Sequence, residues 1–352
     1  MVLCLKVLLA DAEKCKSFLL KKNIVDFSFN VLKEDDFIFF ALTNNPSGEL
    51  LNDFKKICSN FELCEKDLLE KKVVPRTLKQ ALKNVLSEKE QSELVSSFDI
   101  IGHIALIEIP KSLEKKEILI ADALLKVNKN IKTVLKISGE HQGRFRLQPV
   151  SYVLGKRQLA TTHKEHGCVF KVELGKVFFS PRLSQERKRI SSLIKAGENI
   201  AVLFAGVGPF AIVFAKNSYS NKIFAVELNK VAVDLMVENI ALNRVEEKVE
   251  PILGDVKEIV PKFLLQKCDR VVMPLPKGGE SFLIEAFQCL KPKGGIIHFY
   301  QFESRNNPFE PAEKKVFEIA QMFEKKAKIL RKSIVRSFSP SKVQIVLDVK
   351  VE

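Results

Sequence analysis

Residues 200–210 read IAVLFAGVGPF, and the rest of the chain is organised around this stretch. The apolar run 200–204 predicts a buried parallel strand. Gly206 and Gly208 then break the run, and glycine lets the backbone approach a ligand where a Cβ would collide. Pro209 suits the first position of a helix, where no N–H is needed. The stretch therefore predicts a strand, a glycine turn and a helix.

A second apolar run, residues 223–226, ends in Glu227, nineteen residues after Gly208. A strand–turn–helix–strand unit that ends in an acid is typical of nucleotide sites, where the carboxylate accepts hydrogen bonds from ribose hydroxyls. A dinucleotide fingerprint would carry a third glycine for a pyrophosphate, and this turn has none. The pattern favours S-adenosylmethionine as the cofactor, because that molecule has a ribose and no phosphate. An ordinary strand–helix turn without a ligand is the alternative.

The whole sequence limits the class of protein. Its 352 residues are enough for two or three domains, and 46% of them are apolar. No stretch approaches the roughly eighteen apolar residues of a membrane span. Seven cysteines without a Cys-x-x-Cys pair predict reduced thiols, a cytoplasmic location and no metal site. The net charge of +14 indicates either a lysine-rich surface or a polyanionic partner, of which nucleic acid is the simplest.

The order of the predicted elements divides the chain into three domains. Residues 1–63 predict a small α/β domain, with strands at 2–9, 27–32 and 37–43. After a charged linker, residues 68–167 predict a second small domain that binds RNA. Residues 168–352 predict a doubly wound α/β domain, because strands and helices alternate there and end in an antiparallel hairpin.

A basic, glycine-containing segment lies near the end of the second domain. Residues 139–148 read GEHQGRFRLQ, and residues 155–157 and 161–167 add further basic and histidine side chains. This composition suits contact with RNA phosphates and a base. A solvated loop is the alternative.

This order of motifs is similar to that of class I methyltransferases. Within them, the chain resembles the archaeal and eukaryotic tRNA (guanine-37 N1)-methyltransferases. The resemblance rests on residues 1–6, 99–110, 143–146, 163–167, 177–187 and 204–210. It implies a Rossmann-like methyltransferase domain, preceded by two smaller α/β domains, that acts on tRNA. We expect a monomer without a membrane or metal partner.

The resemblance also implies the catalytic residues. N1 of guanine carries a proton at neutral pH, and Glu186 is expected to remove it as the methyl group transfers. Arg146 is expected to stabilise the charge that develops on guanine O6. From residue type alone, Glu186 could instead be a helix-surface glutamate and Arg146 a phosphate contact. Asp255 is the next candidate for the base.

The remaining expected site residues form two groups. The cofactor group is Phe178, Phe204, Gly206, Gly208, Pro209, Glu227, Leu228, Asp255, Val256 and Pro274. The group expected to contact tRNA is Arg144, Arg182, Arg187, Pro276 and Lys277.

Two positions depart from the family pattern. Val202 stands where the family often has an acid, and Pro274 stands where it commonly has asparagine. In having Pro274, the chain is similar to an archaeal branch of enzymes that also methylate a tricyclic guanosine intermediate of wyosine synthesis. Two further alternatives are an enzyme that transfers the aminocarboxypropyl group of S-adenosylmethionine and a tRNA-binding protein with a decayed site.

Overall fold

The computed structural model of the protein describes residues 1–71, 75–139, 143–145 and 147–352. The chain forms two compact units, Met1–Arg76 and Thr77–Glu352. The finer division into three domains stays a prediction.

The first unit is a four-stranded antiparallel sheet with two helices. In spatial order the strands are β2 (Leu32–Glu34), β3 (Phe37–Ala41), β1 (Val2–Leu8) and β4 (Phe61–Lys66). The helices are α1 (Ala12–Lys21) and α2 (Gly48–Lys55). Phe54 of α2 is buried and makes edge contacts with Phe18 and Phe61, so it links both helices to the sheet.

The predicted strand at residues 27–32 is wrong. Only Leu32 of that run lies in a strand. The backbone N–H of Ser28 donates to the Asp26 carboxylate at 2.8 Å, and such an Asx turn competes with strand pairing. The sequence does not predict strand β4, because FELCEK alternates apolar and charged residues and its last two residues belong to the charged linker.

The second unit begins with a four-stranded sheet and three helices. The strands, in spatial order, are β5 (Phe98–Ile101), β6 (Ile104–Ile107), β7 (Thr133–Ile137) and β8 (Val150–Gly155). The helices are α3 (Leu78–Leu82), α4 (Glu88–Glu93) and α5 (Glu117–Val127). Gly102, with φ of 57°, forms the turn between β5 and β6.

An antiparallel hairpin of β9 (Ala160–Glu165) and β10 (Cys168–Glu173) follows. Much of the basic segment after residue 148 is therefore strand rather than solvated loop. The hairpin also crosses the predicted domain boundary at residues 167 and 168. Strand β10 ends at Glu173, before a turn at Gly175 with φ of 84°.

The largest sheet has seven strands and carries the nucleotide-binding motif. Their spatial order is β13 (Val249–Leu253), β12 (Lys222–Glu227), β11 (Asn199–Leu203), β14 (Arg270–Met273), β15 (Gly295–Ser304), β17 (Lys342–Val351) and β16 (Ala327–Ser337). The first five are parallel, and β17 is antiparallel to both of its neighbours. This is the expected doubly wound sheet with an antiparallel hairpin at one end.

Six helices cover this sheet. They are α6 (Ser184–Ser191), α7 (Pro209–Asn217), α8 (Lys230–Asn243), α9 (Val256–Ile259), α10 (Leu283–Cys289) and α11 (Glu310–Met322). One buried apolar cluster covers one face of the sheet and extends to Ile101 and Leu135 of the smaller sheet. A second cluster covers the opposite face. Among the helices of the described residues, none has the length and apolar character required to cross a bilayer.

Candidate active site

The backbone is strained where β11 meets the glycine turn. Phe204 has φ of +65°, a left-handed conformation that is rare for a bulky residue. Such a conformation costs about 1–3 kcal/mol and is found preferentially at functional sites. Its ring makes an edge contact with Phe282 at a centroid distance of 4.9 Å. The surrounding packing thus holds the strand end in a conformation that its sequence does not favour.

The two glycines of the turn have different roles. Gly208 has φ of +85°, and a Cβ there would lie 2.9 Å from Cγ of Met236. Packing of α8 against the turn therefore requires this glycine, whereas the sequence suggested ligand approach. Gly206 has φ of +57°. A Cβ at this position would have the Phe178 carbonyl oxygen as its nearest neighbour, at 3.4 Å. Gly206 is the position where the backbone is open to a ligand.

Glu227 ends β12 and holds the glycine turn. Its Oε2 accepts the Gly206 N–H at 2.8 Å, and its Oε1 accepts those of Leu228 at 3.0 Å and Asn229 at 2.8 Å. A carboxylate has about four acceptor positions, so Oε2 retains one for an incoming hydroxyl. Besides any contact with ribose, the carboxylate therefore fixes the shape of the turn, which the sequence did not predict.

The fold brings most of the expected cofactor residues to one sheet edge. The carboxyl ends of β11 to β14 lie side by side, and such an edge is where open α/β sheets bind ligands. Asp255 follows β13 and caps α9 by accepting the Lys257 N–H at 2.9 Å. Pro274 follows β14 and is half-buried. Pro209 and Val256 are buried in the interior, so any contact of Val256 with a cofactor would involve its backbone.

Val202 is also fully buried, inside the apolar cluster that contains Phe210. An acid at this position would need a buried partner, so valine suits this interior. The departure from the family pattern therefore has a packing role in this chain.

The basic segment reaches the same edge. The Arg144 guanidinium pairs with the Asp255 carboxylate at 2.5 Å, although the Arg144 side chain remains 69% exposed. A residue expected to contact tRNA and one expected to line the cofactor site thus touch each other. Arg146, the expected oxyanion partner, lies outside the described residues.

Glu186 is a partly buried carboxylate in the first turn of α6, and both of its oxygens accept hydrogen bonds. Its side chain is 13% exposed. The Tyr300 hydroxyl donates to Oε2 at 2.8 Å, and the Arg189 guanidinium donates to both oxygens at 2.9 Å. This geometry excludes the alternative of a solvated helix-surface glutamate. The carboxylate is held in one orientation by an aromatic hydroxyl from β15 and a cation one turn along its own helix.

A chain of polar side chains continues from Glu186 through the interior. Arg189 also pairs with Asp348 of β17 at 2.6 Å, and Asp348 accepts from His298 Nδ1 at 2.6 Å. Nε2 of His298 accepts from Arg270 at 2.6 Å, and Arg270 pairs with Glu198 at 2.7 Å. The sequence did not predict this network. Its only sign in the sequence is the presence of polar residues, such as His298 and Asp348, within otherwise apolar strands.

The ionisation of the network follows from burial and pairing. Burial raises the pKa of Asp348, but hydrogen bonds from His298 and Arg189 outweigh it and hold that pKa well below its usual range. Burial lowers the pKa of His298, so this imidazole stays neutral, with its proton on Nδ1 facing Asp348. Burial and the charge of Glu186 raise the pKa of the Tyr300 hydroxyl, which therefore remains a donor.

Arg187 does not fit its expected role as a tRNA contact, and that expectation is corrected. Its side chain is 1% exposed and pairs with Glu165 of β9 through Nε at 2.5 Å and Nη2 at 2.7 Å. The guanidinium also lies over the rings of Phe179 and Phe210. Burial raises the pKa of Glu165, but hydrogen bonds from His163 and Arg187 outweigh it and lower that pKa to about 2. Arg187 therefore joins the hairpin to α6.

The other expected tRNA contacts are more accessible. Lys277 is exposed, and Pro276 accepts the Phe302 N–H through its carbonyl at 2.8 Å. Arg182 is partly exposed and pairs with Asp99 at 2.6 Å. Together with Phe178, Arg182 lines a cavity of about 220 Å³ between the smaller sheet and the end of β16.

Comparison with known proteins agrees with this architecture. A profile described as the TRM5/TYW2 methyltransferase domain matches residues 161–330, and one described as the TYW2 N-terminal domain matches residues 78–158. Over 351 residues the chain is 34% identical to the tRNA (guanine(37)-N(1))-methyltransferase Trm5b of Pyrococcus abyssi, covering 100% of this chain and 99% of that protein. The chain belongs to the TRM5/TYW2 methyltransferase family. This membership confirms the resemblance deduced from the motifs.

Solved structures of TRM5/TYW2 proteins share the fold. The crystal structure of Pyrococcus abyssi Trm5b aligns with a TM-score of 0.84 at 32% identity, over the full length of both chains. A complex of aTrm5 and tRNALeu also aligns with a TM-score of 0.84, at 30% identity, covering 99% of this chain and 100% of that one. M. jannaschii TYW2 in complex with AdoMet aligns with a TM-score of 0.57 at 26% identity, covering 73% of this chain and 99% of that one. The predicted α/β methyltransferase fold is confirmed.

Proposed function

We propose that this chain transfers a methyl group from S-adenosylmethionine to N1 of guanosine 37 in the anticodon loop of tRNA. The observation that carries the proposal is the Glu186 carboxylate, 13% exposed and held by Tyr300 and Arg189 beside the seven-stranded sheet. The full-length similarity to a methyltransferase named for guanine 37 supports the choice of base.

The residues at the sheet edge fit S-adenosylmethionine. Gly206 leaves room for a ligand, and Oε2 of Glu227 retains an acceptor position for a ribose hydroxyl. Phe178, 42% exposed, offers an aromatic surface beside this turn. When bound, the cofactor supplies an electrophilic methyl group and leaves as its thioether.

The protein's part in the reaction is to receive a proton and stabilise charge. The N1 lone pair forms the new bond to carbon, and the N1 proton passes to a Glu186 oxygen. Tyr300 and Arg189 orient that carboxylate before the substrate arrives, so little reorganisation is needed during transfer. Arg146 remains our proposed donor to guanine O6, with Arg144, Arg182 and Lys277 as contacts to the tRNA.

The proposal also covers the net charge, the cellular location and the oligomeric state of the protein. A net charge of +14 suits a polyanionic substrate such as tRNA. We expect the protein to act in the cytoplasm as a monomer, without a metal ion.

The alternatives are less favoured. Two relatives that align over the whole of this chain are named for guanine N1 alone, which does not favour the bifunctional wyosine-pathway enzyme. An aminocarboxypropyl transferase would be expected to lack the Glu186 motif, which is present here. A decayed binding protein would have no reason to retain the buried contacts among Glu186, Arg189 and Asp348.

Mass spectrometry of nucleosides tests the proposal. Unmodified tRNA transcript is incubated with labelled S-adenosylmethionine and digested, with the same transcript carrying adenosine at position 37 as the control. We expect labelled N1-methylguanosine from the first transcript and none from the second. A wyosine intermediate, an aminocarboxypropyl adduct or no product at all would each contradict the proposal.

A further inference from the structure

The cavity beside Phe178 is lined by a cation that pairs with no carboxylate among the described residues. Arg336 of β16 lines this cavity together with Arg182. The Nε of Arg336 donates to the Gln344 side-chain oxygen at 2.7 Å. Within the described part of the chain this is the one hydrogen bond of that guanidinium, and no ion pair there involves it. Both terminal nitrogens of Arg336 therefore remain available to a ligand.

The surroundings of Arg336 disfavour its charge unless an anion is present. Burial and the charge of Arg182 lower the pKa of Arg336, and Asp99 opposes them only in part. Asp99 already accepts from Arg182 at 2.6 Å. Glu108 also lines the cavity, but its residue is exposed to solvent. Two guanidinium groups thus line the cavity. Of the two carboxylates there, one is already paired with Arg182 and the other is exposed to solvent.

Gln344 holds Arg336 by its Nε alone. The residue is fully buried in β17 and lies opposite Arg336 in the pairing of β16 with β17. Its side-chain oxygen accepts from Nε, so this contact does not use the two terminal nitrogens of Arg336. The side-chain nitrogen of Gln344 has no hydrogen-bond partner among the described residues, but Gln344 does not line the cavity.

We infer that Arg182 and Arg336 form a binding site for one phosphodiester group of the RNA substrate. Arginine is suited to this ligand, because its planar fork of donors matches phosphate oxygens. Arg182 precedes Glu186 by one helical turn, so the bound phosphate would belong to a nucleotide close to the base that is methylated. Phe178 and Phe338, which line the same cavity, provide apolar walls for the attached nucleoside. The inference rests on the proposed function, since it names a part of the same substrate.

Single-phosphate neutralisation tests this inference in the full-length protein. A set of anticodon stem-loop RNAs is made, each with one methylphosphonate linkage, and the Kd of each is measured for wild type and Arg336→Gln. We expect one linkage near position 37 to weaken wild-type binding about tenfold or more. The same linkage should change the Kd of Arg336→Gln by less than threefold, because the charge that it meets is already gone.

Arg331→Gln is the matched control, since it removes an exposed arginine from the same strand. This variant should respond to each methylphosphonate as wild type does. On unmodified RNA, Arg336→Gln should reduce the log–log salt slope of binding by about 0.7, the value for one single-stranded phosphate contact. Arg336→Lys should restore the slope but only part of the affinity, because lysine is a point charge without the fork.

Other results would overturn the inference. Equal sensitivity of wild type and Arg336→Gln to every linkage would mean that no phosphate meets this guanidinium. A raised Kd for S-adenosylmethionine in Arg336→Gln, with unchanged RNA binding, would assign the site to the cofactor carboxylate instead. These are binding measurements, so they remain informative if the wild type methylates a different base. Failure of the proposed function would appear separately, in the nucleoside products.

Discussion

Replacement of Tyr300 by phenylalanine isolates one hydrogen bond to the proposed base. The change removes the hydroxyl that donates to Glu186 Oε2 at 2.8 Å and keeps the buried ring, which lies 6.3 Å from that of Phe210. A hydrogen bond to a charged group contributes about 1.5–3 kcal/mol. Because Tyr300 is fully buried, loss of this bond should lower the free energy of unfolding by about the same amount.

The effect on the reaction should be smaller than that of removing Glu186 itself. Arg189 still donates to both carboxylate oxygens, so the proposed base keeps one of the two side chains that hold it. The single-turnover rate of methyl transfer should fall by less than about tenfold, since the base is still present.

The assays are urea unfolding and single-turnover methylation with saturating tRNA and S-adenosylmethionine. Tyr219→Phe is the matched control, because Tyr219 is 84% exposed. Its stability and its rate should equal those of the wild type. If Tyr300→Phe also equals the wild type in both measurements, the hydroxyl does not help to hold Glu186, and the reasoning is refuted.

Three further predictions concern the carboxylates of the site and of the hairpin. Glu186→Gln should lower the single-turnover rate by about 10²–10⁴ and leave the affinities for tRNA and S-adenosylmethionine within about threefold; a wild-type rate would exclude Glu186 as the base. Glu227→Ala should weaken S-adenosylmethionine binding by about 1–3 kcal/mol in calorimetry, and unchanged affinity would refute the ribose contact. Glu165 has its pKa lowered to about 2 from 4.5, so its contribution of about 3 kcal/mol is present above pH 4.5 and lost as pH falls towards 2. Urea unfolding at a series of pH values should show less pH dependence over that range in Glu165→Gln than in the wild type, and equal dependence would contradict the pairing with Arg187.

The sequence predicted what local patterns encode. The apolar run before Gly206 and the acid at Glu227 lie within one strand–helix–strand unit, and their spacing alone indicates a nucleotide site. The parallel strands were recognisable because both of their faces are buried, which leaves continuous apolar runs. The motif around Glu186 also carried its own signal, through resemblance to a family.

Contacts between distant segments could not be predicted in the same way. Asp348 lies 159 residues from Arg189 along the chain, and no spacing rule relates them. The burial of Arg187 depends on Glu165, which lies in a hairpin strand whose sequence belongs to the basic segment. Strand β4 shows the same effect, because its charged residues mask an alternation that becomes clear only beside β1. Tertiary pairing decided these features, and local composition did not.

The position of β17 affects when the protein can become active during its own synthesis. This strand lies between β15 and β16 in the sheet, yet it follows both in the chain. A nascent chain leaves the ribosome with its N-terminal part first, so the glycine turn and Glu227 emerge well before Asp348. Until β17 inserts, Arg189 has no carboxylate from the sheet to hold it, and the helix that carries Glu186 lacks that anchor. In the proposed mechanism, a growing chain could therefore present its cofactor turn before its catalytic base is fixed in place.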